Sequence, residues 1–231
     1  MSDDAAGNEV DDEPAILAPA PGRALRIALV AIIAVAVLVV AGTAGWLIRG
    51  GASSSSMPSN SSVDAGFARD MATHHTQAVT MAGYERDNTS NPQLQILAFD
   101  IETSQEFQIG EMQGWLDTWN LSRNSTHPMA WMGHAGMAMG PNALMPGMAT
   151  PAQMTKLETL HGKALDVMFL QLMIHHHQGG VPMAQYAAAH AQTSYVRDLA
   201  RNMAAVQNGE IVTMEQLLRQ LGGSPLPPPS S

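Results

Sequence analysis

Two stretches of the chain carry adjacent histidines framed by methionines: Met71, His74, His75 and Met81 in the first, Met173, His176, His177 and Met183 in the second. Imidazole nitrogen and thioether sulfur are both metal ligands, and together they form a soft donor set suited to Cu(I). Imidazole also exchanges protons near neutral pH, so proton chemistry is the other use of such a cluster. On a helix, Met71, His74, His75, Ala78, Met81 and Ala82 fall on one face, because positions three and four apart stack along the axis. Met173, His176, His177, Gly180 and Met183 fall on the equivalent face of the second stretch. A stripe that is apolar except for imidazoles and thioethers faces inward, toward whatever the other stretch supplies. A single histidine on such a face is ordinarily a core residue bonded to a carbonyl. The same pair with the same flanking methionines, found twice, argues for metal or proton chemistry instead.

The two stretches belong to a longer repeat. At a constant offset of 102 residues, positions 64–116 align without a gap on 166–218, and 15 of these 53 positions are identical, among them Asp64/Asp166, Phe67/Phe169, Tyr84/Tyr186, Gln105/Gln207 and Met112/Met214. Self-similarity at that level is an internal duplication. Each copy reads as a helical pair. A first helix capped by Ser61 or Ser62 runs to about Arg86, and Asn91-Pro92 opens a second that runs to about Trp119. Thr150-Pro151-Ala152-Gln153 has the form of a capping box, predicted to open one long third helix that Gly179, Gly180 and Pro182 should kink. A fourth helix follows Gln192-Thr193-Ser194 and ends before Gly222-Gly223. The inward stripes of the second and fourth helices bring amides, Gln105 and Gln108 in one and Gln207 in the other, toward the imidazoles. Glu210 replaces Gln108 in the second copy and is the one carboxylate expected beside the histidines.

Two helical pairs joined by one long crossover make an all-α, ferritin-like four-helix bundle over residues 61–221. The crossover, 120–150, contains His127, Met129, Trp131, Met132, His134, Met137, Met139, Met145 and Met148 among glycines and prolines that forbid a regular helix. Its methionines serve either as adaptable packing over the bundle or as a soft-metal capture loop built from His127, Met129, Met132, His134, Met137 and Met139.

Composition narrows the chemistry. The 231-residue chain has no cysteine, so disulfides and thiolate ligands are absent and a metal site must use His, Met, carboxylates or amides. The formal charge of −9, with no basic patch, excludes nucleic acid as an expected partner. Residues 1–22 are acidic and poor in large apolar side chains, and are expected to form a disordered cytoplasmic tail. Within 24–48, the stretch from Ile27 to Ile48 lacks any charge and is long enough to cross a bilayer, so a single-pass anchor is expected. Arg23 and Arg26 before it against Arg49 after it put the N-terminus in the cytoplasm and the repeat domain outside. Residues 49–60 read as a Gly/Ser tether and 222–231 as a disordered Pro-rich tail.

No zinc-protease signature, serine-nucleophile elbow or phosphate-binding loop is present in the sequence. Glu158-Thr159-Leu160-His161 matches the Glu-x-x-His of di-iron bundles. Its repeat-mate falls at Ser56–Ser59, whereas such a site needs the motif twice. Copper, zinc, a di-iron oxidase-like centre and a metal-free adaptor therefore stay open, with Cu(I) first and zinc, which uses His with a carboxylate and little Met, second. Because ligating imidazole must be neutral, metal affinity is expected to fall as pH drops through roughly 6.5.

The segments Phe67-x-x-x-Met71-x-x-His74-His75-x-Gln77-Ala78-Val79-x-Met81-Ala82 and Phe169-Leu170-x-x-Met173-Ile174-x-His176-His177-Gln178-Gly179-Gly180-x-x-Met183-Ala184 resemble the domain-of-unknown-function 305 family, as does Met145-Pro146-Gly147-Met148. The resemblance implies a ferritin-like bundle, exported or membrane-anchored, with copper binding and tolerance known for some members. A copper donor or acceptor protein would then be a partner beside the membrane and the metal ion. His175, Gly180 and Pro182 depart from the family pattern within the second motif.

Overall fold

A computed structural model describes residues 57–135 and 144–229; the expected tail 1–22, the anchor 24–48 and most of the tether lie outside them. Among the described residues there are five α-helices and no strand: α1 (Val63–Asn88), α2 (Pro92–Thr118), α3 (Pro151–Leu157), α4 (Lys163–His190) and α5 (Ser194–Gln220), with a 3₁₀ turn at Ala130–Ala135. No helix among them is long and apolar enough to cross a membrane.

The local signals act as their chemistry dictates. Ser62 caps α1 by accepting from the Ala65 amide, and Asn91 caps α2 from the Gln93 amide with Pro92 just inside. Thr150 and Gln153 form the expected capping box. That box opens only the seven-residue α3, however, and not the long third helix. The chain leaves α3 through tight turns at Thr159 and Leu160, then passes through Gly162 at φ +56°, a left-handed conformation that interrupts helix and sets α4 on its own axis. From there α4 runs as one element through Pro182.

α1 packs along α2, α4 packs along α5, and the two hairpins meet through α1 and α4. The meeting is antiparallel. Asp64 at the start of α1 accepts from the backbone amides of Gln192 and Thr193 and from the Thr193 hydroxyl, all at 2.7–2.8 Å, and so fastens the α4–α5 turn to α1. At the opposite pole its repeat-mate Asp166, at the start of α4, accepts from Thr89 just past the end of α1 at 2.8 Å. One long connection between two short-turned hairpins is the connectivity of ferritin-like bundles.

The core divides into two apolar clusters. One gathers Phe67, Met71, Leu116, Trp131, Met183 and Met203, the other Met81, Ile101, Phe169, Met173, Met214 and Leu218. The crossover completes the first: Trp131 packs edge-on to Phe67, with ring centroids 6.0 Å apart, and lies where a side chain at Gly66 would stand. Its indole and the Met129 amide both donate to the buried Asp70 carboxylate, at 2.8 and 2.6 Å. The Pro-rich tail, expected to be disordered, is fastened along α4 as far as it is described: Gln171 donates to the Ser224 carbonyl and His175 to that of Pro227.

Candidate metal centre

His74 and His75 stand at the middle of α1, and His176 and His177 at the middle of α4, where the inner helices of the two hairpins meet. All four rings are fully buried. The His74 and His176 rings lie face against face, centroids 3.8 Å apart and tilted by 36°, with His177 beside them. Gln105 and Gln207, repeat-mates on α2 and α5, are buried with them.

Every ring is held by its Nε2. His74 donates to the Pro146 carbonyl at 3.0 Å and His176 to the carbonyl of His74 at 3.0 Å. His75 donates to Gln108 Oε1 at 2.8 Å, and His177 to Glu210 Oε2 at 2.7 Å. Backbone carbonyls and carboxylates only accept, so Nε2 carries the proton and Nδ1 is left with a bare lone pair. All four Nδ1 atoms are buried without a hydrogen-bond partner, as are both amide atoms of Gln105 and Oε1 of Gln207. An unsatisfied buried acceptor costs about 1–3 kcal/mol. A layer serving only as core would be cheaper in leucine, so the orphaned nitrogens point to a partner.

Burial sets the protonation. Desolvation lowers His74 to about 4, against the opposing bond to Pro146 and with further lowering by His177. It lowers His75 to about 3, reinforced by His74. His176 lies well below the ordinary histidine range, again from burial first and then from the neighbouring rings. These imidazoles are thus neutral and ligand-ready far below the pH of about 6.5 at which the sequence alone placed the loss of affinity.

The four methionines divide between the two core clusters. Met71 shares its core cluster with Met183 of the other copy, and Met81 shares the opposite cluster with Met173, because the inner helices are antiparallel. Each cluster thus takes one methionine of this set from each copy. Met129 and Met132 of the crossover are buried in the first cluster beside Met71, together with Met145. His127 is exposed and bonded to Thr126, His134 sits in the 3₁₀ turn, and Met137 and Met139 lie outside the described residues. Glu158 and His161 are exposed in the link between α3 and α4, away from the layer. Among the described residues no three His, Asp or Glu side chains gather as a metal site, so a metal held here would draw on thioethers as well as imidazoles.

Three further features shape the layer without being ligands. Pro146 enters through its carbonyl alone. Gln77 braces that segment by donating to the Ala149 carbonyl and accepting from its amide, at 2.9 and 2.7 Å. Gly179 and Gly180 give the space: a Cβ on Gly179 would lie 2.0 Å from the Pro146 oxygen, and one on Gly180 would lie 2.9 Å from Gln207 Oε1 and 3.2 Å from His74 Cε1. Their legible traces are the Met-Pro-Gly-Met segment, Gln77 after the first His-His and the glycine pair after the second.

The molecule is thus a duplicated helical bundle with a buried layer of tautomer-fixed imidazoles between two methionine-containing cores. The family model for the domain of unknown function DUF305 matches residues 64–218, and the chain belongs to that family. Among solved structures it is similar to a DUF305 protein from Streptomyces coelicolor, at 44% identity over 73% of this chain and 99% of that one, with a TM-score of 0.68. A DUF305 fragment from Deinococcus radiodurans is 32% identical over 68% of this chain and 96% of that one, with a TM-score of 0.57. CopM in its Cu(I)-bound form is 26% identical over 69% of this chain and 98% of that one, with a TM-score of 0.53; CopM is also known in Cu(II)- and Ag-bound forms. No curated protein matches the chain.

Proposed function

We propose that the chain is a copper-binding protein that holds Cu(I) in the bundle, drawing on His74, His75, His176 and His177, no more than two of them at one ion, with thioethers among Met71, Met81, Met173 and Met183. The observation that carries this is the set of four buried imidazoles, each fixed through Nε2 and each presenting an unpartnered Nδ1. Metal-ligating histidines are characteristically oriented in this way by an acceptor on the other nitrogen. Cu(I) accepts low coordination numbers and soft thioethers, whereas a closed zinc site needs four ligands of the His, Cys or carboxylate type. The similarity to CopM in its Cu(I)-bound form supports the same reading.

The setting we propose is extracytoplasmic, with segment 24–48 as a single-pass anchor and the bundle outside, where a thiol would oxidise and a thioether persists under milder conditions. Protease added to intact cells should remove the bundle, and full protection would overturn that placement. The ligands are tested by anaerobic Cu(I) titration of the purified full-length chain against a competing chelator. Changing His75 and His177 to Gln should weaken copper by more than the roughly 10- to 100-fold that loss of a supporting residue costs. Changing Met71 and Met183 to Leu should weaken it less, and changing Met129 and Met132 to Leu least. Copper retention by every variant overturns the ligand set; tighter zinc binding, lost only with the histidines, overturns the metal.

A further inference from the structure

The duplication gives the two halves of the imidazole layer equivalent histidines, and one exchange among the side chains that hold them changes a charge. His75 is held by Gln108 and His177 by Glu210, each partner 33 residues on, at 2.8 and 2.7 Å. The other partners of the layer are uncharged in both halves: Gln105 mirrors Gln207, and His74 and His176 both donate to backbone carbonyls. The exchange of amide for carboxylate at nearly constant shape therefore places one formal charge against one half only. Among the described residues no Lys or Arg pairs with Glu210; its side-chain partner is the hydrogen-bonded His177 ring.

Resting on the copper reading above, we propose that this exchange sorts oxidation states: the His177 half, backed by Glu210, prefers the divalent ion, and the His75 half, backed by Gln108, the monovalent one. A fixed negative charge attracts a dication twice as strongly as a monocation at the same distance, and a buried ring transmits that difference with little screening. The charge-assisted bond from Nε2 to a carboxylate also pushes electron density onto Nδ1, making it a harder donor than the ring that faces an amide. Glu210 acts through His177 and is a positioning residue.

The test uses two near-isosteric substitutions in the full-length chain, Glu210→Gln and Gln108→Glu, with the Cu(II) and Cu(I) affinities each measured by chelator competition and the couple measured by mediated electrochemical titration. Glu210→Gln should weaken Cu(II) at least tenfold relative to Cu(I), a rise of about 59 mV in potential for the one-electron couple. Gln108→Glu should move the ratio the other way. The double exchange, which restores the net charge, should transfer the Cu(II) electron-spin signal from dependence on His177 to dependence on His75. Shifts in the same direction for both single variants, or none above threefold, overturn the sorting while leaving copper binding intact. A parent chain that binds no copper in either state overturns the function itself.

Discussion

At the scale of single residues, the chain departs from an ordinary core by burying groups whose charged forms it cannot tolerate. His74 and His75 titrate near 4 and 3 in the fold because burial disfavours the imidazolium, against about 6.5 in an open chain. Between those values the unfolded chain binds more protons than the folded one, so stability is intact above about 6.5 and is lost as pH falls. Each ring should cost the metal-free chain about 2 kcal/mol between pH 7 and 5, measurable by urea unfolding. Replacing His75 with Gln should flatten that slope; an unchanged slope would mean that the ring is protonated or solvated in the fold. Glu85 has the opposite sign. Burial first, and then the neighbouring Asp166, raise its carboxyl to about 8, and neither of its oxygens finds a hydrogen-bond donor. Folding therefore favours the protonated acid, and stability is lost as pH rises from about 4.5 through 8. Glu85→Gln, neutral at every pH, should remove this alkaline loss and make the chain more stable at pH 8. Equal stability of variant and parent across that range would contradict the assignment.

At the scale of elements, the glycines separate close approach from idle space. Alanine at Gly179 would drive its Cβ into the Pro146 backbone, which cannot swing away as a side chain could. The expected loss is about 1–3 kcal/mol, together with displacement of the carbonyl that fixes His74. Alanine at Gly110, on the exposed face of α2 with nothing within 4 Å of its Cβ, should instead be neutral or stabilise by up to about 1 kcal/mol. Thermal unfolding of the two variants tests the contrast, and equal effects would remove the packing account. The long helices were legible because their periodicity and their caps, Ser62 and Asn91-Pro92, agree. The break between α3 and α4 was not, because Gly162 gives no sign in sequence that it takes φ +56°. The histidine stripe was legible from its spacing and its repetition. The acceptors of His74 and His176 were not, since a backbone carbonyl belongs to every residue type. The crossover methionines could be read as packing or as ligands, and Met129 and Met132 stand in the core because Trp131 and Asp70 anchor that segment to α1.

At the scale of the whole molecule, the duplication sets two hairpins head to tail and leaves their histidines at the centre, between an apolar cluster toward each pole. The poles are fastened unequally. Asp64 takes three donors from the α4–α5 turn, while Asp166 takes one from Thr89 and faces Glu85. Asp64→Ala should accordingly destabilise the bundle by about 2 kcal/mol or more, through the unpaired amides and hydroxyl of the α4–α5 turn, in a denaturant titration; a loss below about 0.5 kcal/mol would show that the pole does not hold the hairpins together. Between the poles, the layer should bind metal through Nδ1 while Nε2 stays hydrogen-bonded. Long-range proton–nitrogen correlation spectra of the full-length chain, recorded without metal and with stoichiometric Cu(I) under anaerobic conditions, read both nitrogens of every ring. The expected result is movement of Nδ1 resonances among His74, His75, His176 and His177 with their Nε2 protons retained. Movement confined to exposed histidines such as His127 and His161, with the four buried rings unchanged, would contradict it.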